Sequence, residues 1–154
     1  MKNKGFTLIE LLAVIVLIGL VGTVGISSLI RTRKNTNIKL AKEMENDIKV
    51  AGENLFSYEK ISGKGDFNTA YNSSNAIYIS LYDLKTNGYL KTDKLKNPAN
   101  DSDTCEGFLK IAKTLSGPEF KGYVKCEKLY TTEHYDEDKP SSTFKNLTSN
   151  EKPQ

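Results

Sequence analysis

The sequence predicts an α+β protein in which one long amino-terminal α-helix packs against a small antiparallel β-sheet head. Three observations indicate this fold class. Residues 11–29 are aliphatic apart from Gly, Thr and Ser. The segment that follows repeats apolar residues at helical spacing. Near the carboxyl terminus, two short apolar segments flank a turn that contains Gly and Pro.

The overall composition limits the classes of function. The 154 residues suffice for one domain, and the net charge of +3 is too balanced to predict a nucleic-acid partner. His134 is the single histidine, and nothing in the sequence places a nucleophile beside it. We therefore predict no enzyme activity, no cofactor and no metal. We interpret the acidic residues at 133–138 as a solvated tail rather than a metal site.

The amino-terminal apolar segment is long enough to span a membrane. As a helix, residues 6–30 measure about 37 Å, against about 30 Å of bilayer hydrocarbon. Glu10 lies inside this segment, where a carboxylate costs on the order of 2–3 kcal/mol and needs a partner. The chain offers no Lys or Arg nearby after Lys4. Cleavage after Gly5 would supply a cation, because it creates an α-ammonium group on Phe6.

Such a processed chain carries one positive and one negative charge, four residues apart, in apolar surroundings. Neighbouring helices that are staggered by about one turn can pair Glu10 of one copy with the amine of Phe6 of another. The contact is head-to-tail, and head-to-tail contacts that do not close build open helical filaments. A copy at the wrong height would leave a charge unpaired, so the pairing also sets the register.

The residues around this glutamate match a known signal. The sequence Lys-Gly-Phe-Thr-Leu-Ile-Glu-Leu-Leu at positions 4–12, followed by the apolar segment, resembles the class III signal of type IV pilins and pseudopilins. The resemblance implies the pilin fold. It implies cleavage between Gly5 and Phe6 by a prepilin peptidase, and N-methylation of Phe6 by the same enzyme. It also implies that Phe6 and Glu10 form the contact between assembled subunits.

The resemblance further implies a structural subunit of a type IV pilus or pilus-like filament. Its partners would be other copies, other pilins, the prepilin peptidase and the assembly machinery in the membrane. Before assembly it would cross the cell membrane once with a cytoplasmic amino terminus, and afterwards it would lie in an extracellular filament. We divide the chain into a leader (1–5), a membrane and filament-core helix (6–30), an amphipathic half (31–58) and a head (59–154). The head is rich in Asn and Lys, which favours a minor pilin over a major one.

Other interpretations of the amino terminus stay open. The chain could be an uncleaved bitopic membrane protein with an extracytoplasmic binding head, or a pseudopilin of a competence or secretion system. Ordinary signal cleavage near Gly25 would instead release a secreted binding or adhesion domain. The basic residues that follow the apolar segment would, by the positive-inside rule alone, favour a cytoplasmic head. We follow the resemblance, because the leader must face its peptidase.

The second half of the helix is amphipathic. Apolar residues form one stripe along it: Ile38, Ala41, Met44, Ile48, Ala51 and Leu55. Glu45 and Lys49 have the favourable i,i+4 order of a surface ion pair. No proline interrupts residues 6–58, so we predict one helix about 80 Å long whose stripe packs on a sheet.

Turn-forming residues divide the head. Residues 61–74 are rich in Gly, Ser, Asn and Asp, which predicts a loop. Ser80 and Asp83 have capping-box spacing, so residues 80–87 are predicted to form a short helix that ends before Gly88. Residues 97–103 are predicted to form a polar loop, and residues 131–154 a tail or late edge strand.

Two strands are predicted at residues 105–113 and 120–128, joined by the turn at 115–118. If the hairpin centres between Leu115 and Ser116, opposed residue numbers sum to 231, which places Cys105 opposite Cys126. Two cysteines do not make a structural zinc site, which needs four ligands. We therefore predict a disulfide in an oxidising compartment, worth about 3 kcal/mol by chain entropy, over the alternative of two buried thiols.

Overall fold

The computed structural model describes residues 7–62, 66–91 and 95–147. Its helices are α1 (Leu8–Ser62), α2 (Asp66–Ser73), α3 (Leu81–Thr86) and α4 (Tyr135–Asp138). Its strands are β1 (Ala76–Ser80), β2 (Lys96–Asn97), β3 (Asn100–Thr104), β4 (Glu106–Thr114), β5 (Gly117–Cys126) and β6 (Tyr130–Thr131). The protein is therefore α+β, as the sequence predicts, and its arrangement is consistent with the pilin fold.

One antiparallel sheet organises the head. It has the strand order β1-β4-β5-β6, and β2 and β3 form a separate two-stranded ladder. The chain divides into two compact units, Met1–Thr36 and Asn37–Gln154. The sheet and the main hydrophobic core belong to the second unit.

In the first unit, α1 presents apolar side chains to its surroundings. Large apolar residues between positions 8 and 21 are 45–80% exposed in the single chain. Within the described part of the chain, no helix has both the length and the hydropathy that crossing a membrane requires. The single membrane span predicted for residues 6–30 is thus not confirmed.

In the second unit, the predicted apolar stripe of α1 faces the sheet. Ala41, Met44, Ile48, Ala51 and Leu55 are all buried, and this part of the prediction is confirmed. The helix approaches the sheet closely, since an added Cβ at Gly52 would lie 2.6 Å from the side chain of Leu109 on β4. The stripe forms the helical side of the core because it is the face on which apolar residues repeat at helical spacing.

The central hairpin has the predicted register. Glu106 pairs with Lys125 and Thr114 with Gly117, so opposed residue numbers sum to 231 along its whole length. Both strands begin and end within a few residues of the predicted bounds. The predicted short helix is also confirmed as α3. The hydroxyl of Ser80 accepts a hydrogen bond of 3.0 Å from the N–H of Asp83, and Gly88 takes a φ of +79° after the helix.

The loop predicted at residues 61–74 is wrong, because α2 lies within it. The helix begins with Asp66, whose charge suits the positive end of the helix dipole. It buries Phe67 and Tyr71, which are four residues apart and lie on one face. Aromatic packing therefore outweighs the turn-forming composition. The sequence analysis also missed β1, the edge strand at residues 76–80.

The polar loop predicted at residues 97–103 is wrong in part, since β2 and β3 form a short hairpin there. The late edge strand predicted after residue 130 is present as β6. The remainder of the described tail packs against the head. Phe144 contacts Phe67 edge-on, with the ring centroids 5.8 Å apart, and Leu147 is buried. The N–H of Phe144 also donates to the carbonyl of Tyr78 on β1.

Candidate functional site

Glu10 lies in the first turn of α1, three residues after Thr7. Its carboxylate accepts hydrogen bonds from the N–H of Thr7 at 2.9 Å and from the hydroxyl of Thr7 at 2.8 Å. In return, the hydroxyl of Thr7 lies 3.4 Å from the N–H of Glu10, and the carbonyl of Thr7 accepts from the same N–H at 3.1 Å. This reciprocal arrangement is a capping box.

The sequence analysis missed this local partner of the carboxylate. The capping box could have been predicted from the sequence, because Thr7-Leu8-Ile9-Glu10 has the Thr-x-x-Glu spacing of that motif. Two other predicted site residues, Gly5 and Phe6, lie outside the described residues. Glu10 is thus the only predicted residue of the processing and assembly site whose side chain is described.

An apolar surface surrounds Glu10. Leu8 and Ile9 are 80% and 76% exposed, and the exposed apolar side chains continue around every face of the helix to Val21. A contiguous apolar surface of this kind marks contact with lipid or with other apolar helices. The geometry therefore places one carboxylate, satisfied by its own helix cap, at the start of a surface that requires apolar partners.

A disulfide lies in the head, within the second unit. Cys105 and Cys126 are bonded, with their Cα atoms 4.4 Å apart, and both side chains are buried. The bond joins the open end of the β4–β5 hairpin, and this prediction is confirmed. It encloses the residues from 106 to 125, so most of the two central strands lies inside the closed loop.

A group of hydrogen bonds, which the sequence analysis missed, joins α1 to β6 and the residue that follows it. The carboxylate of Glu45 accepts hydrogen bonds from the hydroxyl of Tyr130 at 2.8 Å and from the hydroxyl of Thr132. Burial, followed by the hydrogen bond to Glu45, raises the pKa of Tyr130. The ion pair predicted between Glu45 and Lys49 is wrong, because Lys49 lies 3.8 Å from Glu53 instead.

A further group of polar contacts lies on the outer face of the sheet, opposite α1. The carboxylate of Asp138 accepts from the ammonium of Lys110 and from the hydroxyl of Tyr123, each at 2.5 Å. The hydrogen bond from Lys110, followed by that from Tyr123, lowers the pKa of Asp138. Tyr135 is buried against Phe108 at 5.3 Å. The prediction of a solvated acidic tail is therefore wrong for Asp138.

The remaining acidic residues of this segment stay exposed, as predicted. Glu137 lies 2.6 Å from the imidazole of His134 and Glu133 lies 3.5 Å from it. The hydrogen bond with Glu137 raises the pKa of His134. These side chains are all more than half exposed.

The fold and the site together define a class of protein: an amino-terminal helix with an apolar first part and a glutamate in its first turn, and a sheet head closed by a disulfide. Residues 1–26 match the family model of the prokaryotic N-terminal methylation motif. The match supports a protein of the type IV pilin family, and that family is structural rather than enzymatic. Neither the curated proteins nor the solved structures contain a match to the chain.

Proposed function

We propose that this chain is a subunit of a type IV pilus or a related filament. A prepilin peptidase cleaves it between Gly5 and Phe6 and methylates the new terminus. The methylation motif at residues 1–26 carries this proposal, because it brings a cleavage site, an apolar helix and Glu10 together. In the filament, Glu10 pairs with the amine of Phe6 of a neighbouring subunit.

The helix cap gives Glu10 a role before assembly. Two hydrogen bonds from Thr7 satisfy the carboxylate while no second subunit is present. This lowers the cost of keeping a charge in apolar surroundings. When a subunit is added, the neighbour's ammonium group replaces or joins these donors. The charge pair then selects the correct height of insertion, since an unpaired buried charge is costly.

The same proposal assigns the parts of the chain. Residues 6–30 cross the membrane once before assembly and form the filament core afterwards, and residues 31–58 connect them to the head at 59–154. The disulfide between Cys105 and Cys126 is consistent with a head outside the cytoplasm, where such bonds persist. We place the chain among the minor pilins, with other pilins as its neighbours.

The mass of the mature amino terminus tests the processing. We expect the protein from the cell surface to begin at Phe6 with one added methyl group. A terminus at Met1 would overturn the proposal in favour of a bitopic membrane protein. A terminus near Ser27 would instead favour a secreted domain.

A charge deletion tests the assembly step separately. We expect Glu10→Ala to be processed normally but to yield no filaments after shearing of the cell surface. Glu43→Ala, which removes an exposed carboxylate farther along the same helix, is the matched control and should assemble. Normal filament yield from Glu10→Ala would contradict the proposed pairing.

A further inference from the structure

A group of positive charges lies on α1, within the first unit, directly after the apolar part of the helix. The group, which we call the cationic collar, consists of Arg31, Arg33 and Lys34. All three side chains are exposed. Residues 11–30, which precede the collar, contain no charged side chain. The helix therefore changes from uncharged to strongly basic within about one turn.

No carboxylate neutralises the collar. The acidic residues on either side of it in the sequence are Glu10 and Glu43, and the second lies twelve positions after Arg31. Ion pairs along a helix join residues three or four positions apart, so neither carboxylate is within reach. Within the part of the chain that the structure describes, no ion pair involves a collar side chain. The three positive charges are thus available to a partner from outside the chain.

The distance between Glu10 and the collar matches the thickness of a bilayer. The 20 uncharged residues between Glu10 and Arg31 are about the number that a helix needs to cross the hydrocarbon. The helix is continuous over this range, and 21 steps of 1.5 Å separate the two charged positions by about 32 Å. The hydrocarbon is about 30 Å thick. A helix with Glu10 at one boundary of the hydrocarbon therefore has Arg31 at the other.

The rest of the collar falls at the depth of the lipid headgroups. Lys34 lies about 5 Å beyond Arg31 along the axis, and the headgroup layer on each side of a bilayer is about 5–8 Å thick. Leu29 and Ile30, just before the collar, are 63% and 64% exposed and require apolar surroundings. A soluble polyanion would match the positive charges but not these two side chains. A membrane that contains anionic lipid matches both.

The helix of a second copy offers few carboxylates to the collar. On α1 of each copy, Glu45 already accepts hydrogen bonds from two hydroxyl groups, and Glu53 lies 3.8 Å from a lysine of the same helix. Asp47 and Glu59 also have interactions within their own copy. Glu43 is the remaining acidic residue of this helix beyond the collar. One carboxylate does not balance three cations, so lipid is the better match.

We propose that the cationic collar binds the phosphate groups of anionic phospholipids at the extracytoplasmic surface of the membrane while the subunit awaits assembly. This contact rests on the membrane-held precursor of the proposed function. Guanidinium and ammonium groups both bind phosphate, and each cation strengthens attraction to an anionic surface by a factor of about five. The lipid contact also offsets the positive-inside rule, which alone disfavours placing the collar outside.

The contact determines the height of the helix in the membrane. With the collar held among the headgroups of one leaflet, Glu10 lies at the opposite boundary of the hydrocarbon. The leader is then close to the cytoplasmic surface, where the peptidase of the proposed function would act on it. Addition of the subunit to a filament requires the collar to leave its lipids.

The lipid preference of the full-length chain in vesicles tests this proposal. The vesicles consist of phosphatidylcholine with a minor fraction of phosphatidylglycerol. Electron spin resonance of a trace of either lipid in spin-labelled form measures how much of it is held against the protein. Lys2 and Lys4 precede the apolar segment and also attract anionic lipid, so both are replaced by Gln in every chain that is compared.

We expect the chain with the native collar to hold phosphatidylglycerol several-fold more strongly than phosphatidylcholine. The combination of Arg31→Gln, Arg33→Gln and Lys34→Gln should hold the two lipids about equally. Added salt should weaken the preference of the native collar, because it screens exposed charges.

Two control variants separate the collar from net charge and from side-chain shape. The first replaces three exposed lysines of the head by Gln and changes the net charge by the same amount: Lys85, Lys91 and Lys145. The second combines Arg31→Lys with Arg33→Lys and keeps every charge. Both should retain the preference for phosphatidylglycerol, and retention of the native disulfide in each variant reports that the head has folded.

The outcomes distinguish this proposal from the filament proposal. An unchanged preference in the collar variant, or an equal loss in the head-lysine control, would overturn the lipid contact and leave the filament proposal intact. A collar variant that keeps its lipid preference but yields no filaments would place the collar against neighbouring subunits instead. An unmodified chain that does not float with the vesicles would overturn both the lipid contact and the membrane-held precursor.

Discussion

The carbonyl oxygen of Glu45 on α1 lies directly against Gly122 on β5. A Cβ atom added at residue 122 would be 2.3 Å from that oxygen and 2.9 Å from the Cβ of Ile48. Both neighbours belong to the helix and one is backbone, so neither can move aside without shifting the helix. Glycine is thus required here by the close approach of the helix to the sheet.

We expect Gly122→Ala to destabilise the head by about 1–3 kcal/mol, the usual cost of overpacking a core. Urea unfolding of the purified protein measures the change. Glu119→Ala, on an exposed position of the same strand, is the matched control and should stay within about 0.5 kcal/mol of the unmodified protein. Equal stability of the two variants would show that the helix can move away from the strand.

Removal of the Glu45 carboxylate should loosen β6. We expect Glu45→Ala to lower the free energy of unfolding by about 1–3 kcal/mol, because two hydroxyl groups lose a charged acceptor. Glu43→Ala on the exposed side of the helix should have little effect. In a double-mutant cycle, Glu45→Ala and Tyr130→Phe should be non-additive, since they remove the same hydrogen bond. Additive effects would rule out the contact.

The disulfide between Cys105 and Cys126 should raise the stability of the oxidised head above that of the reduced head. We expect Cys105→Ser combined with Cys126→Ser to lower the free energy of unfolding by about 3 kcal/mol, because the bond closes a loop of about 20 residues. Thermal unfolding with and without reductant measures this. The reductant should lower the midpoint of the unmodified protein and leave that of the double variant unchanged.

The Asp138 contacts predict a specific dependence of stability on pH. Lys110 and Tyr123 bind the ionised carboxylate and so lower its pKa in the folded state. The stabilisation is therefore fully present above the unfolded pKa of about 4, and it is lost as the pH falls through the lower folded pKa.

We expect Asp138→Asn to be about 1 kcal/mol less stable than the unmodified protein at pH 7. This difference should shrink as the pH falls from about 4 through the lower pKa of the folded state, because the carboxyl takes up a proton first in the unfolded chain and then in the folded one. Urea unfolding at several pH values measures it, with Glu127→Gln at an exposed position as the control. A difference that stays constant from pH 7 to pH 3 would contradict the role of the ionised form.

Elements defined by local periodicity could be predicted from the sequence. The stripe from Ala41 to Leu55 repeats at helical spacing, and its burial follows from that spacing alone. The hairpin register could be predicted as well, because the turn at 115–118 fixes the pairing and brings Cys105 opposite Cys126. In both cases, the information lies within a short stretch of chain.

Contacts between distant segments could not be predicted in this way. Glu45 and Thr132 are 87 residues apart, and no local pattern distinguishes this glutamate from its exposed neighbours. Helix α2 was missed because its polar residues resemble those of a turn, while Phe67 finds its aromatic partner, Phe144, near the other end of the head. The cap between Thr7 and Glu10 was local and could have been recognised from its spacing.

The bond between Cys105 and Cys126 also determines how the head bears mechanical load. When the chain is pulled between its helix and its carboxyl-terminal tail, tension passes through the sulfur atoms and bypasses the residues enclosed by the bond. These residues, about 20 in number, would otherwise release up to about 70 Å of extended chain. The central hairpin therefore stays folded under a force that strips away β1 or β6, and the length that a stretched head can gain is limited by covalent chemistry.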